Sequence, residues 1–195
     1  MNGTSRLVFA THNQHKLREV RRLLEPAGIT VEPLPDAVEL PSEEGETFDQ
    51  NALPKARAAA AATGAPAIAD DSGIEAEALD GRPGVRSARF AGPQATDEQN
   101  LGKLMQEAPA GSRLRYVCAL AYVDAQSGEE RLFWGHCTGT LAPAPRGSGG
   151  FGYDPAFIPD EDGQHRTMAE LTDGEKDAIS HRGRAIGELI EWLRR

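Results

Sequence analysis

The chain has 195 residues, a formal net charge of -9 and an apolar content of 39%, within the normal range for a globular protein. That length supports one domain or a two-lobed fold whose core needs no covalent staples. An acidic balance disfavours a non-specific nucleic-acid binder, although a local group of Lys and Arg can still meet an anionic small molecule.

Cys118 and Cys137 are the two cysteines. Both lie in apolar, strand-like context with no CxxC spacing, so they read as packed thiols in a reducing compartment. The start Met1-Asn2-Gly3 passes into Arg6-Leu7-Val8-Phe9-Ala10 without the apolar segment of a signal peptide. No stretch approaches the ~20 apolar residues of a membrane helix. The expectation is a soluble cytoplasmic protein.

Leu7 to Ala10 reads as a buried first strand. From His15 the apolar residues Leu17, Val20, Leu23 and Leu24 recur at helical spacing, and Gly28 closes that helix. A short strand over Ile29 to Leu34 completes a β-α-β opening. Residues 35–46 are rich in Pro and Glu and read as a loop. Phe48 to Thr63 is dominated by helix formers, with Gly64 and Pro66 as stops. Pro66-Ala67-Ile68 predicts a strand that ends in a tight Asp70-Asp71-Ser72-Gly73 turn, with a second short strand near Ile74 to Ala78. Thr96 and Gln99 fit a capping box for a helix reaching Ala108. Leu114 to Val123 and Arg131 to Thr140 predict a hairpin across Gln126-Ser127-Gly128. Asp173 is the expected cap of a short helix containing Lys176, and Ser180 that of a last helix with Ala185, Leu189, Ile190 and Leu193 on its inner face. Helices interleaved with strands predict an α/β fold with a mixed sheet, and no linker divides residues 1–195 into separate domains.

Five stretches carry candidate chemistry. Thr11-His12-Asn13-Gln14-His15-Lys16 sits where strand meets helix; free N–H groups and the Lys16 charge suit a phosphate chain, or else Thr11 and Asn13 merely cap the helix. It is neither a Walker A loop nor a dinucleotide fingerprint. Glu43, Glu44, Glu46 and Asp49 are more acid than capping needs, and one of them can complete an oxygen shell for Mg²⁺. Asn51 and Lys55 share a helix face, so Lys55 meets phosphate if that face lines the site and is otherwise a surface lysine. Asp70 and Asp71 are adjacent carboxylates: one beside a metal ion can hold a water and the other take its proton, with Ser72 donating to a phosphoryl oxygen. The alternative is a turn capped by its own side chains.

Gly149-Gly150-Phe151-Gly152-Tyr153-Asp154-Pro155 lets backbone approach a ligand, with two aromatics to stack on a base or to plug the core. Lys176 with Ser180-His181-Arg182-Gly183 offers cations near one turn, to read an anion or a base edge, unless His181 is a core histidine and Arg182 a surface residue.

Taken jointly, Ala10-Thr11-x-Asn13-x-x-Lys16, Glu43-x-Gly45-x-Thr47-Phe48-x-x-Asn51-Ala52-x-x-Lys55-Ala56, Ala69-Asp70-Asp71-Ser72-Gly73, Pro83-Gly84-Val85-x-Ser87-Ala88-Arg89, Gly149 to Pro155 and Ile179-Ser180-His181-Arg182-Gly183 resemble the inosine triphosphatase, or dITP/XTP pyrophosphatase, family. The resemblance covers essentially the whole chain. It implies a long mixed sheet with flanking helices, in two lobes around an active-site cleft, and a Mg²⁺-dependent homodimer. The implied reaction converts ITP, dITP and XTP to the monophosphate and pyrophosphate, keeping deaminated purines out of DNA and RNA.

Carried over by position, Thr11, His12, Asn13, Gln14, His15 and Lys16 become the phosphate loop, and Glu43 and Asp71 the metal ligands. Asp71, with Asp70 beside it and Lys55 on the triphosphate, becomes the catalytic group. Ser72, Phe151, Gly152, Tyr153, Asp154, Lys176, His181 and Arg182 become substrate contacts. The first loop departs from the commonest form, Thr-Gly-Asn-x-Gly-Lys, by having His12 and His15 at the glycine positions, which raises the question of backbone strain. A pyrophosphatase for modified pyrimidine or methylated nucleotides is the alternative enzymatic reading, separated by substrate competition. A nucleotide-binding regulatory module would bind without turnover and would not need the Asp70-Asp71 pair.

Overall fold

The structure, a computed structural model, describes residues 6–195; the opening Met1-Asn2-Gly3 lies outside the described residues. Strand β1 (Arg6–Phe9) leads into helix α1 (Gln14–Leu24), a short 3-10 turn and strand β2 (Thr30–Pro33). Gly28 ends the turn in the left-handed region with φ 80°, where only glycine adapts without strain. Helix α2 (Phe48–Thr63) has the expected limits and stops at Gly64, φ 66°. Its buried positions, Phe48, Asn51, Ala52, Lys55, Ala56, Ala59 and Ala60, follow the three-four spacing of one helix face. Two polar residues therefore lie on an otherwise apolar stripe.

Strand β3 (Ala67–Ala76) corrects the expected turn at 70–73: the strand runs straight through the two aspartates. A turn would have kept two carboxylates solvated, but Asp70 is neutralised in place by Lys16 and Arg182, so the strand tolerates it. Helix α3 (Asp97–Glu107) has the Thr96–Gln99 capping box. Strands β4 (Arg113–Asp124) and β5 (Glu129–Leu141) are longer than predicted. Strand β6 (Phe157–Pro159) precedes helices α4 (Asp173–Ile179) and α5 (His181–Leu193). The cap of α4 is Thr172, not Asp173: the threonine hydroxyl accepts from Glu175 N and the Glu175 carboxylate from Thr172 N. Ser180 is the single extended residue between α4 and α5.

The six strands form one mixed sheet in the order β2-β1-β3-β4-β5-β6. β1 is parallel to β2 and β3, while β5 and β6 are antiparallel with Thr140 opposite Ile158. The chain packs as two compact units, each with its own core. Of the described residues, the first unit holds 6–71, 118–135 and 182–195. Leu7, Phe9, Leu17, Val20, Leu24, Ile68, Leu120 and Ile186 are among its buried apolar residues. The second holds residues 72–117 and 136–181, with Ile74, Leu104, Leu114, Tyr116, Leu141, Phe157 and Met168 inside. Among the described residues no helix is long and apolar enough to cross a membrane.

Candidate active site

In the first unit the sequence-selected cations and carboxylates converge. Asp70, 1% exposed on β3, accepts from Lys16 Nζ at 2.9 Å through Oδ1 and from Arg182 Nη2 at 2.8 Å through Oδ2. Arg182 also donates from Nη1 to Glu19 Oε2. Lys55 Nζ donates to Glu43 Oε1 and to the Asp70 carbonyl, 2.8 Å. Asn51 Nδ2 donates to Asp71 Oδ2 at 2.9 Å. Lys55 is therefore buried, and the surface-lysine alternative falls.

The loop from Thr11 to Lys16 divides its roles. Asn13 is the N-cap of α1, its Oδ1 accepting from His15 N and Lys16 N. The capping alternative thus holds for Asn13, while Lys16 extends to Asp70. Thr11 Oγ1 accepts from Asn13 N. His12, Gln14 and His15 are exposed, and Arg18 Nη2 meets His15 Nδ1 at 2.9 Å. Among the described non-glycine residues, positive φ occurs at Asp80 and His165. His12 and His15 therefore occupy their positions without needing a glycine's freedom, and the departure from the common loop carries no backbone strain.

The two adjacent aspartates are driven apart. Burial pushes the Asp70 carboxyl up, but Lys16, Arg182 and Lys55 outweigh it and hold it well below the usual carboxylate range. For Asp71 burial prevails over Lys16, Lys55 and the Asn51 hydrogen bond, with Glu43 adding to the rise. Glu43 is also desolvated, yet Lys55 brings it down. Neighbouring carboxylates with opposed shifts are a sign of divided acid–base roles. Asp70 remains a fixed anion that organises cations. Asp71 is the one suited to take a proton.

In the second unit Asp154 is the hub, 3% exposed. Its Oδ2 accepts from Lys176 Nζ at 2.7 Å and from Phe151 N at 2.8 Å, and its Oδ1 from the Tyr116 hydroxyl at 3.0 Å. Gly150 makes this possible: its φ is 68°, and a Cβ there would lie 2.1 Å from Asp154 Oδ2. Lys176 Nζ lies 5.2 Å from the centroid of the Phe151 ring. Tyr153 is buried with its hydroxyl on the Ser87 carbonyl at 2.7 Å, so it plugs the core, as the bland reading of the glycine loop has it. Gly152 N donates to Asp97 Oδ2. His181 is buried against Tyr116, and Ser72 is half-buried in β3.

Arg182 is 2% exposed and pairs with Asp70 and Glu19, so the surface-residue alternative falls. Sequence reasoning placed Asn51 on the Lys55 face without giving it a role, and did not single out Glu19 or Tyr116. Glu19 follows Lys16 by three on α1, so a shared helix face was the available signal. Tyr116 had none, because its partners are distant in sequence.

Among the described residues no group of three or more His, Cys, Asp or Glu is arranged as a metal cage. The profile of the Ham1 family matches residues 7–192. The chain belongs to the Ham1 family. Its relatives within that family include a protein of Symbiobacterium thermophilum named dITP/XTP pyrophosphatase, 53% identical over 193 residues that cover 96% of this chain and 94% of that one. A protein of Frankia alni with the same name is 49% identical, covering 97% of each chain. The solved HAM1 protein of Coxiella burnetii superposes with a TM-score of 0.84 at 39% identity, covering 97% of this chain and 98% of its own. The Ham1 match spans Lys16, Glu43, Lys55, Asp70, Asp71, Asp154, Lys176, His181 and Arg182 alike.

Proposed function

We propose that this protein is a nucleoside-triphosphate pyrophosphatase that hydrolyses the deaminated purine nucleotides ITP, dITP and XTP to the monophosphate and pyrophosphate. The observation that carries the reading is the Asp70–Asp71 pair, one carboxylate locked by Lys16 and Arg182 and the other left basic by burial. Relatives named dITP/XTP pyrophosphatase at about half identity support it.

Glu43 and Asp71 fit a Mg²⁺ ion. Both are hard oxygen donors, and Asp71 is an anion that burial disfavours and a cation would relieve. Mg²⁺ sites use one or two carboxylates and let substrate phosphates and waters supply the rest, which matches a site without a three-residue cage. When bound, the ion supplies neutralisation of phosphate charge and polarisation of phosphorus.

The chain's own groups do the rest. Asp71 accepts the proton of the attacking water. The new O–P bond forms at the α-phosphorus while the bond to pyrophosphate breaks, and pyrophosphate leaves as the anion. Asn51 keeps the Asp71 carboxylate aimed. Lys55 and Lys16 stabilise developing charge, in reach of their carboxylate partners until phosphate competes for them. Thr11 to His15 supply further polar contacts to the phosphate chain, and Ser72 one more.

Phe151, Gly152, Asp154, Lys176 and His181 read the base, Arg182 is a further substrate contact, and Tyr153 supports the loop from inside. A site built to donate to a 6-keto oxygen leaves its donors facing the 6-amino group of adenine, which costs ~1–3 kcal/mol per mismatched buried group. A single domain over residues 1–195, a homodimer and a cytoplasmic location complete the proposal.

Product analysis with ITP, XTP, GTP and ATP at saturating Mg²⁺ is the test. Monophosphate plus pyrophosphate from ITP and XTP, with little from ATP or GTP, is the expected result. Release of orthophosphate, or equal turnover of ATP, overturns it.

A further inference from the structure

Tyr116, on β4, touches two residues of the base-reading set by two different parts of its side chain. Its hydroxyl donates to Asp154 Oδ1 at 3.0 Å. Its ring lies flat on the His181 imidazole, with centroids 4.5 Å apart and planes 6° apart. Phe157 is a further ring neighbour, centroids 4.6 Å apart and tilted by 40°. Asp154 in turn holds Lys176 and the Phe151 backbone. One tyrosine thus bears on the carboxylate hub and on the imidazole together.

A core tyrosine needs only one acceptor for its hydroxyl. Placing that hydroxyl on a buried, ion-paired carboxylate while the ring is stacked parallel on a histidine is a more specific arrangement. Burial, with the Asp154 charge adding to it, raises the phenol well above its ordinary value, so the O–H remains a donor. Of the hydrogen bonds to Asp154, the Lys176 bond comes from a side chain proposed to meet the base, and the Phe151 bond from the pocket loop itself. The Tyr116 bond is the contact from the sheet, and it ties the hub to a rigid element.

We propose that Tyr116 is a positioning residue for base selection, orienting Asp154 through its hydroxyl and His181 through its ring. The inference rests on the pyrophosphatase reading above. Discrimination between 6-keto and 6-amino purines needs donors and acceptors held in fixed places, and a loosened hub accepts both edges more evenly.

Tyr116→Phe keeps the ring, its stacking and its packing, and removes one hydroxyl. The expected result is a fall of about tenfold in kcat/KM for ITP, carried by KM, with kcat within about twofold and the ITP-over-ATP preference narrowed by a similar factor. In an Asp154→Ala background, Tyr116→Phe should have little further effect on that preference, because its route through the residue 154 side chain is already cut. A merely structural role predicts a lowered Tm with unchanged preference. That outcome, or additive effects in the double variant, overturns the proposal. Wild-type protein that hydrolyses no purine triphosphate overturns the reading beneath it instead, so the two failures are told apart by the wild-type control.

Discussion

Asn51 and Asp71 are joined by a 2.9 Å hydrogen bond from the amide of a helix to the carboxylate of a strand, and the Asn51 oxygen accepts from Gly45 N at 2.7 Å. The amide is thereby fixed in one orientation, NH₂ toward Asp71 and oxygen toward the loop that carries Glu43. A Cβ at residue 45 would lie 2.6 Å from that oxygen, so glycine is needed for the approach. Asn51→Ala should lower kcat about 10- to 100-fold while leaving secondary structure intact, the usual effect of losing a group that orients a reacting carboxylate. Asp71→Asn should lower kcat roughly a thousandfold with Tm little changed. Steady-state kinetics beside thermal unfolding checks both, and near wild-type kcat in Asp71→Asn sinks its assignment as proton acceptor.

Arg182 binds Asp70 and Glu19 in the buried interior of the first unit. Removing Arg182 takes the shared cation from the buried Glu19 and leaves Asp70 with Lys16, so Arg182→Leu should destabilise by about 3 to 5 kcal/mol. Urea unfolding followed by circular dichroism measures it. A loss below about 1 kcal/mol, the value of an exposed pair, would place the residue at the surface.

Glu175 closes the capping box of α4 and accepts from Arg166 Nη2 at 3.0 Å. Its carboxyl is brought down to about 2, first by the Arg166 hydrogen bond and then by the backbone and hydroxyl of Thr172. A folded value below the unfolded one stabilises above the unfolded value and loses that contribution as pH falls. The start of α4 should therefore loosen between about pH 4.5 and pH 2. Carboxyl-carbon NMR titration should show a Glu175 midpoint near 2; a midpoint near 4.5 would mean that the cap is open in solution.

Cys118 and Cys137 are both fully buried, and the Cys118 thiol is pushed up to about 12, first by burial and then by the Asp70 charge. The thiolate is the reactive form, so native protein at pH 8 should react with a thiol reagent far more slowly than unfolded protein. Labelling followed by mass spectrometry, with and without urea, checks this. Rapid native labelling would show that the strands carrying these residues open readily.

Elements with strong local signals were legible in the sequence. The α2 limits followed from helix formers ended by Gly64, and the Thr96–Gln99 box was plain in the spacing. Strand β3 was not, because two aspartates in a row look like a solvated turn unless their partners are known. Lys16 lies 54 residues before Asp70 and Arg182 112 residues after it, so no local pattern reports that their charges meet.

By itself, the sequence determined the α/β class, the apolar stripes, the caps and the residue types able to handle phosphate, because these depend on neighbours within a few positions. It named Asp70, Asp71, Lys55, Glu43, Asp154 and Lys176 before any contact was visible. Only the tertiary structure decided their surroundings. It made Asp70 a fixed anion and left Asp71 basic, paired Arg182 with Asp70 in the interior, and brought Tyr116 onto Asp154 and His181. The physical reason is that burial and the charge of a sequence-distant partner set the protonation and orientation of a side chain, and both exist only once the chain is folded.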